Sequence, residues 1–385
     1  MDPQTLVDTS QTAGLPAPIW FIELFKWLGF TLHEVPMNLW YAGIVVAMLL
    51  HAFGSEHGRR FSARLMAQMP VIIAMGINFG IVPLLFIQVG FAPIFYPATI
   101  LMAWFWFMVI VLLVPAYYGV YLYAIGQAAQ GAEMPRWKRA AGWLSAALFL
   151  MIGFIFSNAM SLMENLKAWP DLWQQHSFHA AALGTALNTV DPRLWPRWLL
   201  MFGLALTTTA AWIAFDAAWF ARRESDAYRT WAKDFAWKLY TAGMAWFAVV
   251  GAWYSFGAWT PATQAAMFHS PWVVLTVVTA VAPGAVWALL WLGRNHSGPL
   301  SPRFATLLGL AQFGVLGINA ASRQVVQHLE IGPYYNLLNQ PTATQWSPLL
   351  IFLAVFILGL GLVAWMIWQV AKLPAKTDAS VVPRN

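Results

Sequence analysis

Four polar side chains stand inside stretches of membrane-grade hydrophobicity: Asn78, Asn158, Asp216 and Asn319. A polar group at that depth is costly, so each calls for a partner or a reaction. Asparagines there can tie helices together by hydrogen bonds. Asp216 lies just ahead of Arg222 and Arg223. It suits either a carboxylate that snorkels to those arginines or a point where protons enter. Two histidines suggest a second chemistry. His51 lies within an apolar run and His33 just ahead of it. An imidazole on a membrane helix can ligate a haem b iron. His176 and His179 could share a helix face, but no third ligand is in sight and no metal site is expected.

The stretch "GINFGIVPLLFIQ", Gly76 to Gln88, shows what must hold such groups. Gly76 and Gly80 have the GxxxG spacing that lets a neighbouring backbone approach closely. Pro83 frees a carbonyl and can kink the helix. A bent, tightly packed helix with a polar knot is expected, the knot comprising Gly76, Asn78, Gly80, Asn158, Asn319 and Arg323.

Of the chain's 385 residues, 60% are hydrophobic and 9% charged. Soluble domains carry about 25% charged residues. The apolar material falls in blocks of about 20 residues, enough to cross a ~30 Å hydrocarbon core. The fold class is therefore an all-α integral membrane protein. Spans are expected at about 36–54, 68–90, 96–124, 140–161, 197–220, 236–257, 271–293, 303–321 and 347–371, nine in all. The segment Pro18–Phe30 reads as an interfacial amphipathic helix within an N-terminal piece, 1–35. The membrane domain is 36–371, with a long aromatic loop at 162–196, and 372–385 reads as a disordered tail. No cleavable leader is expected, because no basic segment precedes the first apolar run. The absence of cysteine excludes disulfides, iron–sulfur clusters and covalent haem c on this chain.

Charge orients the chain. Arg59, Arg60, Arg64, Arg136, Lys138, Arg139, Arg222, Arg223, Arg229, Lys233, Lys238, Arg294, Arg303, Lys372, Lys376 and Arg384 fall on one side, 16 of the 21 basic residues. The positive-inside rule puts them in the cytoplasm, so the N-terminus and the 162–196 loop are outside and the C-terminus inside. The net charge of +6 thus reflects topology, and no nucleic-acid partner is expected.

Several stretches in order resemble the large subunit of the cytochrome bd-type quinol oxidases. They are Gly76-Ile77-Asn78-Phe79, "LMAWF" at Leu101–Phe105, "WLSAALFLMIGFIFSNAMSLMEN" at Trp143–Asn165 and Ser322-Arg323-Gln324. The resemblance implies a nine-span bundle with its N-terminus outside, in the bacterial cytoplasmic membrane. The departures bear on haem. Phe107 or an apolar neighbour stands where the family has a glutamate, and Trp198 to Ala218 holds no histidine. Val274 falls where a ligating methionine would be, and only Ser255–Ser270 stands where the family has its quinol loop. Asn319 or Ala320 replaces another glutamate, and His33 stands nearer Pro36 than the family's first-helix histidine stands to its counterpart. What this implies is a respiratory electron-transfer subunit with few or no haems, serving structure or docking beside other membrane subunits, with lipid and a periplasmic cytochrome c as further partners. Two alternatives stay open. One is an active haem b oxidase subunit with ligands relocated to His33 and His51. The other is a transporter with helices broken at Pro83, Pro115 and Pro283. Whether quinone binds is not legible.

Overall fold

The computed structural model describes residues 3–7 and 14–372. The expected tail beyond Lys372 lies outside the described residues.

Thirteen α-helices account for most of the described chain. The first is α1, Ile19–Asn38, which continues through a π turn, Leu39–Gly43, into α2, Ile44–Phe53. Then come α3, Glu56–Gly90; α4, Ala92–Leu101; α5, Ala103–Gln130; and α6, Arg136–Glu164. A short α7, Trp169–Gln175, and the hairpin β1, Ser177–Phe178, with β2, Ala181–Ala182, precede α8, Leu194–Trp219. The rest are α9, Asp226–Ala252; α10, Pro261–Phe268; α11, Val273–Arg294; α12, Pro302–Ile331; and α13, Trp346–Lys372. Among the described residues, eight helical segments are long and apolar enough to cross a membrane, and the chain is a multi-pass membrane protein. The ninth expected span lies in α9, whose first half carries Lys233, Asp234 and Lys238 and lowers its hydropathy.

The sequence calls apolar cores and misses helix ends. The expected interfacial helix at 18–30 is not separate. Ile19–Phe53 is one continuous 35-residue helical segment, so the boundary at residue 35 falls inside it. Glu23 and Lys26 made that stretch look interfacial, yet Lys26 is buried and bonded to Glu23 at 3.0 Å. The expected span at 96–124 is two helices, because the backbone breaks helical geometry at Met102 (φ −115°, ψ 30°).

From α1 to α12, successive long helices pack side by side, α8 against α9 most extensively. Glycine makes that approach close. A methyl group on Gly243 would stand 2.9 Å from the Thr207 amide nitrogen, and one on Gly203 3.0 Å from that of Phe247. Midway along the bundle, Tyr240 donates to Gln312 at 2.9 Å, and Gln312 donates to Thr207 and Thr208 at 3.2 Å each. Asn38 on α1 donates to the same Thr208 at 3.0 Å. These side chains join four helices where water cannot satisfy them.

Candidate functional site

The residues of the expected polar knot do not meet in one place. Gly76 and Gly80 share a face of α3, but what they admit is rings from α1 and the following π turn. A methyl on Gly76 would stand 2.2 Å from Trp40 Cζ3, and one on Gly80 2.8 Å from His33 Cε1. Asn78, two residues along, turns to the opposite face. It is exposed and donates to its own helix, at Ala74 O, 2.8 Å. Asn158 is fully buried, but it serves the loop after α6: its Oδ1 accepts from the Asn188 amide at 2.9 Å and its Nδ2 lies 3.5 Å from Met102 Sδ.

Asp216 does not pair with Arg222. Arg64 grips it at both oxygens, 3.0 and 2.9 Å, and Gln68 donates at 2.8 Å. Arg222 instead lies over the Trp219 ring at 4.9 Å. The guanidinium reaches across from α3, and its planar fork matches the two carboxylate oxygens. So held, Asp216 joins two helices.

The histidines are engaged one by one. His33 Nδ1 lies 2.8 Å from the Gly76 carbonyl, which can only accept, so Nδ1 carries the proton. His51 stands edge-on to Tyr123 at 5.6 Å. Eighteen residues of one helix separate the two, about 27 Å at 1.5 Å per residue. They cannot ligate one iron. His176 faces Thr185 at 2.9 Å, while His179 sits in the hairpin turn at φ 48°, so the two share no helix. No group of three or more histidine, aspartate or glutamate side chains among the described residues could hold a metal ion. His33 and His51 thus do not fit a haem held between them.

What the bundle does assemble is a charged cluster at the end where α6 and α12 finish and α8 begins. Glu164 of α6 pairs with Arg197 of α8 and accepts from Gln327 of α12 at 3.2 Å. Arg197 also donates to the Tyr254 hydroxyl at 2.9 Å and lies 3.6 Å from Glu330. Arg193 lies 3.2 Å from Glu330 and grips Asp191 at 2.9 Å through two nitrogens. Beside them, the Glu23 carboxylate takes Lys26, Gln324 and His328. Glu34 is fully buried, with neither carboxylate oxygen hydrogen-bonded and the nearest cation, Arg323, 3.9 Å away.

The cluster separates two spaces. A cavity of about 370 Å³ lies among α1, α8, α11, α12 and the π turn Trp253–Ala258 that extends α9. Arg197, Glu164, Asn319, Arg323, Gln324 and Gln327 form its polar wall, and Leu200, Phe247, Phe256 and Phe268 its apolar one. The π turn is what sends Tyr254 inward to Arg197 while leaving Phe256 outward. A second cleft of about 910 Å³ lies toward the loop, lined by Asp171, Asp191, Arg193, Glu330 and Tyr334. Glu164 lines both.

Sequence reading found Asn319 and Arg323 and missed Glu23, Lys26, Glu34, Glu164, Arg193, Arg197, Tyr254, Gln327 and Glu330. A signal was present. Asn158, Ser161 and Glu164 recur every third residue, Arg193 and Arg197 are four apart, and Arg323, Gln327 and Glu330 are spaced for one helix face. Ending the last two spans of this group at 161 and 321 placed these residues in loops.

The loop 165–193 is pinned rather than loose. Trp169 is fully buried and donates to Leu162 O at 2.9 Å, while the Trp104 amide donates to Gly184 O at 3.0 Å. Burial alone would raise the Asp191 carboxyl. Hydrogen bonds and charge from Arg193, with Asn188 adding a bond, outweigh it and hold the group below its ordinary 3.8. A depressed carboxyl stabilises the fold above its unfolded value, and that contribution is lost as pH falls through the native one. Hydrogen exchange across 176–190 is expected to stay slow at neutral pH and to quicken below about pH 4. Asp191→Asn should exchange fast already at neutral pH and lose that acid dependence. An unchanged Asp191→Asn profile would remove Asp191 as the anchor.

No protein-family model matches this sequence, and no curated protein matches it.

Proposed function

We propose that the chain is an integral-membrane subunit of a cytochrome-bd-like respiratory electron-transfer complex in the bacterial cytoplasmic membrane. Its role is structural and docking, and its own side chains hold few or no haems. The ordered motifs support the kinship. The separation of His33 from His51 supports the haem-poor state. Counting α9 gives nine spans and termini on opposite faces, and the bias of basic residues favours an outer N-terminus and 165–193 loop, where a periplasmic cytochrome c would meet them.

The single observation that carries the subunit reading is on α5. Trp104, Phe107, Val111, Val114, Tyr118, Tyr121 and Ile125 are all exposed large side chains. They repeat at three and four residues along the whole helix, the spacing of a helix-packing seam. Lipid can cover apolar members of such a stripe. Tyr118 is different: it stands at the middle of the 28-residue helix, 66% exposed, and its hydroxyl makes no hydrogen bond to the described residues. Aromatic belts sit at the two interfaces, not at mid-bilayer. A hydroxyl at that depth needs an acceptor, which a partner helix supplies and hydrocarbon does not.

The test is photo-cross-linking in native membranes, with a benzophenone amino acid in place of Tyr118 or, as control, of exposed Ile357 on α13. Position 118 is expected to yield a discrete adduct with a membrane polypeptide that co-purifies with haem b. Adducts to lipid alone at position 118 would overturn the subunit reading of this face.

A further inference from the structure

The cavity beside the charged cluster has a mouth on the bundle's outer surface. Phe256, 70% exposed, and Ala280, also exposed, line the cavity and face what is bilayer in the membrane. Its volume of about 370 Å³ falls within the ~300–1,000 Å³ of small-molecule sites. Whatever enters here arrives through lipid.

Among the described residues of the polar wall, Arg323 is the cation with most of its donors unspent. Lys26 is bonded to Glu23 and Gln327, and Arg197 is taken by Glu164 and Tyr254. Arg323 stacks on Phe30 at 4.6 Å and donates one N–H to Met201 Sδ at 2.6 Å. Its nearest carboxylate oxygen, on Glu34, is 3.9 Å away, beyond hydrogen-bond reach. Its side chain remains 31% accessible, and it lines the cavity. A guanidinium has five N–H donors, and leaving them unmet at membrane depth is costly. Its planar fork fits two oxygens of one phosphate, and its charge favours an anion over a neutral carbonyl.

We propose that this cavity is a binding site for an anionic phospholipid, with the phosphate on Arg323 beside Asn319 and Gln324 and an acyl chain leaving past Phe256 and Ala280. The site stands on geometry independent of the bd kinship. Phosphatidylcholine shares the phosphate without the net charge, and a quinone shares the acceptor oxygens without either, so these two are the comparison ligands.

The experiment is native mass spectrometry of the full chain, delipidated in detergent and titrated separately with phosphatidylglycerol, phosphatidylcholine and decylubiquinone. One tight phosphatidylglycerol per chain is expected, with phosphatidylcholine binding more weakly. Arg323→Gln should weaken phosphatidylglycerol by roughly tenfold or more, the loss of a charge-assisted bidentate contact. Ala280→Trp lies on the exposed surface, so it should fold as wild type, by thermal melting, and still lose binding by blocking the mouth. Equal binding of both phospholipids, no saturable phospholipid, an Ala280→Trp protein that binds like wild type, or tight binding of decylubiquinone in preference to phosphatidylglycerol would each overturn the assignment.

Discussion

Arg197→Leu is expected to destabilise the bundle by about 3–5 kcal/mol, the cost of breaking a buried ion pair from one side. Arg197 touches Glu164, Glu330 and Tyr254, and its removal leaves two buried carboxylates close together with Arg193 as their remaining guanidinium partner. The loss arises less from the missing attraction than from stranding charge that water no longer reaches. That distinction is measurable. Adding Glu164→Gln and Glu330→Gln to Arg197→Leu removes the stranded charge and should restore much of the lost stability, although it deletes further contacts. Thermal unfolding in detergent, followed by tryptophan fluorescence, reads all three proteins. If Arg197→Leu melts with wild type, the cluster is not what joins α6, α8 and α12.

Gly76→Ala is the second large effect, and it acts by crowding. The added methyl would stand 2.2 Å from Trp40 Cζ3 and 2.6 Å from Cη2. Trp40 is stacked on Phe149 at 5.6 Å, so the ring cannot yield without disturbing α6. Overpacking of this kind costs about 1–3 kcal/mol. Gly314→Ala is the control, since no atom lies within 4 Å of its added methyl. It should be neutral or gain about 0.5–1 kcal/mol from helix propensity. Trp40→Leu should recover part of the Gly76→Ala loss, because the two sites share one contact and cannot be additive. Additive losses would mean that the ring and the glycine do not meet.

These two effects also mark what the sequence could and could not tell. Hydropathy located the eight apolar cores, because lipid selects side chains by transfer energy and leaves a plain record. It located Gly76 and Gly80, since a bare position amid large residues calls for close packing. It did not say that rings rather than a backbone occupy the space, because that depends on α1, many residues away in sequence. Helix ends were misjudged for one reason. A charge at the end of a span reads as a loop residue, yet Glu164 and Glu330 are buried in helices because each finds its counter-group elsewhere in the fold. Pairing between distant segments leaves no local trace. Asp216 shows the same thing: its neighbours in sequence are Arg222 and Arg223, and its partner is Arg64, 152 residues away.

We propose that this bundle has an oxidase-like scaffold and does not ligate haem through its own histidines. The most direct measurement is a pyridine haemochrome assay with a reduced-minus-oxidised spectrum, on the chain produced without partner subunits and purified in detergent. A folded protein with no stoichiometric b-type signal is expected. One haem b per chain that disappears in His33→Ala would contradict it, and would make the imidazole whose Nδ1 is held by Gly76 the ligand through its free Nε2.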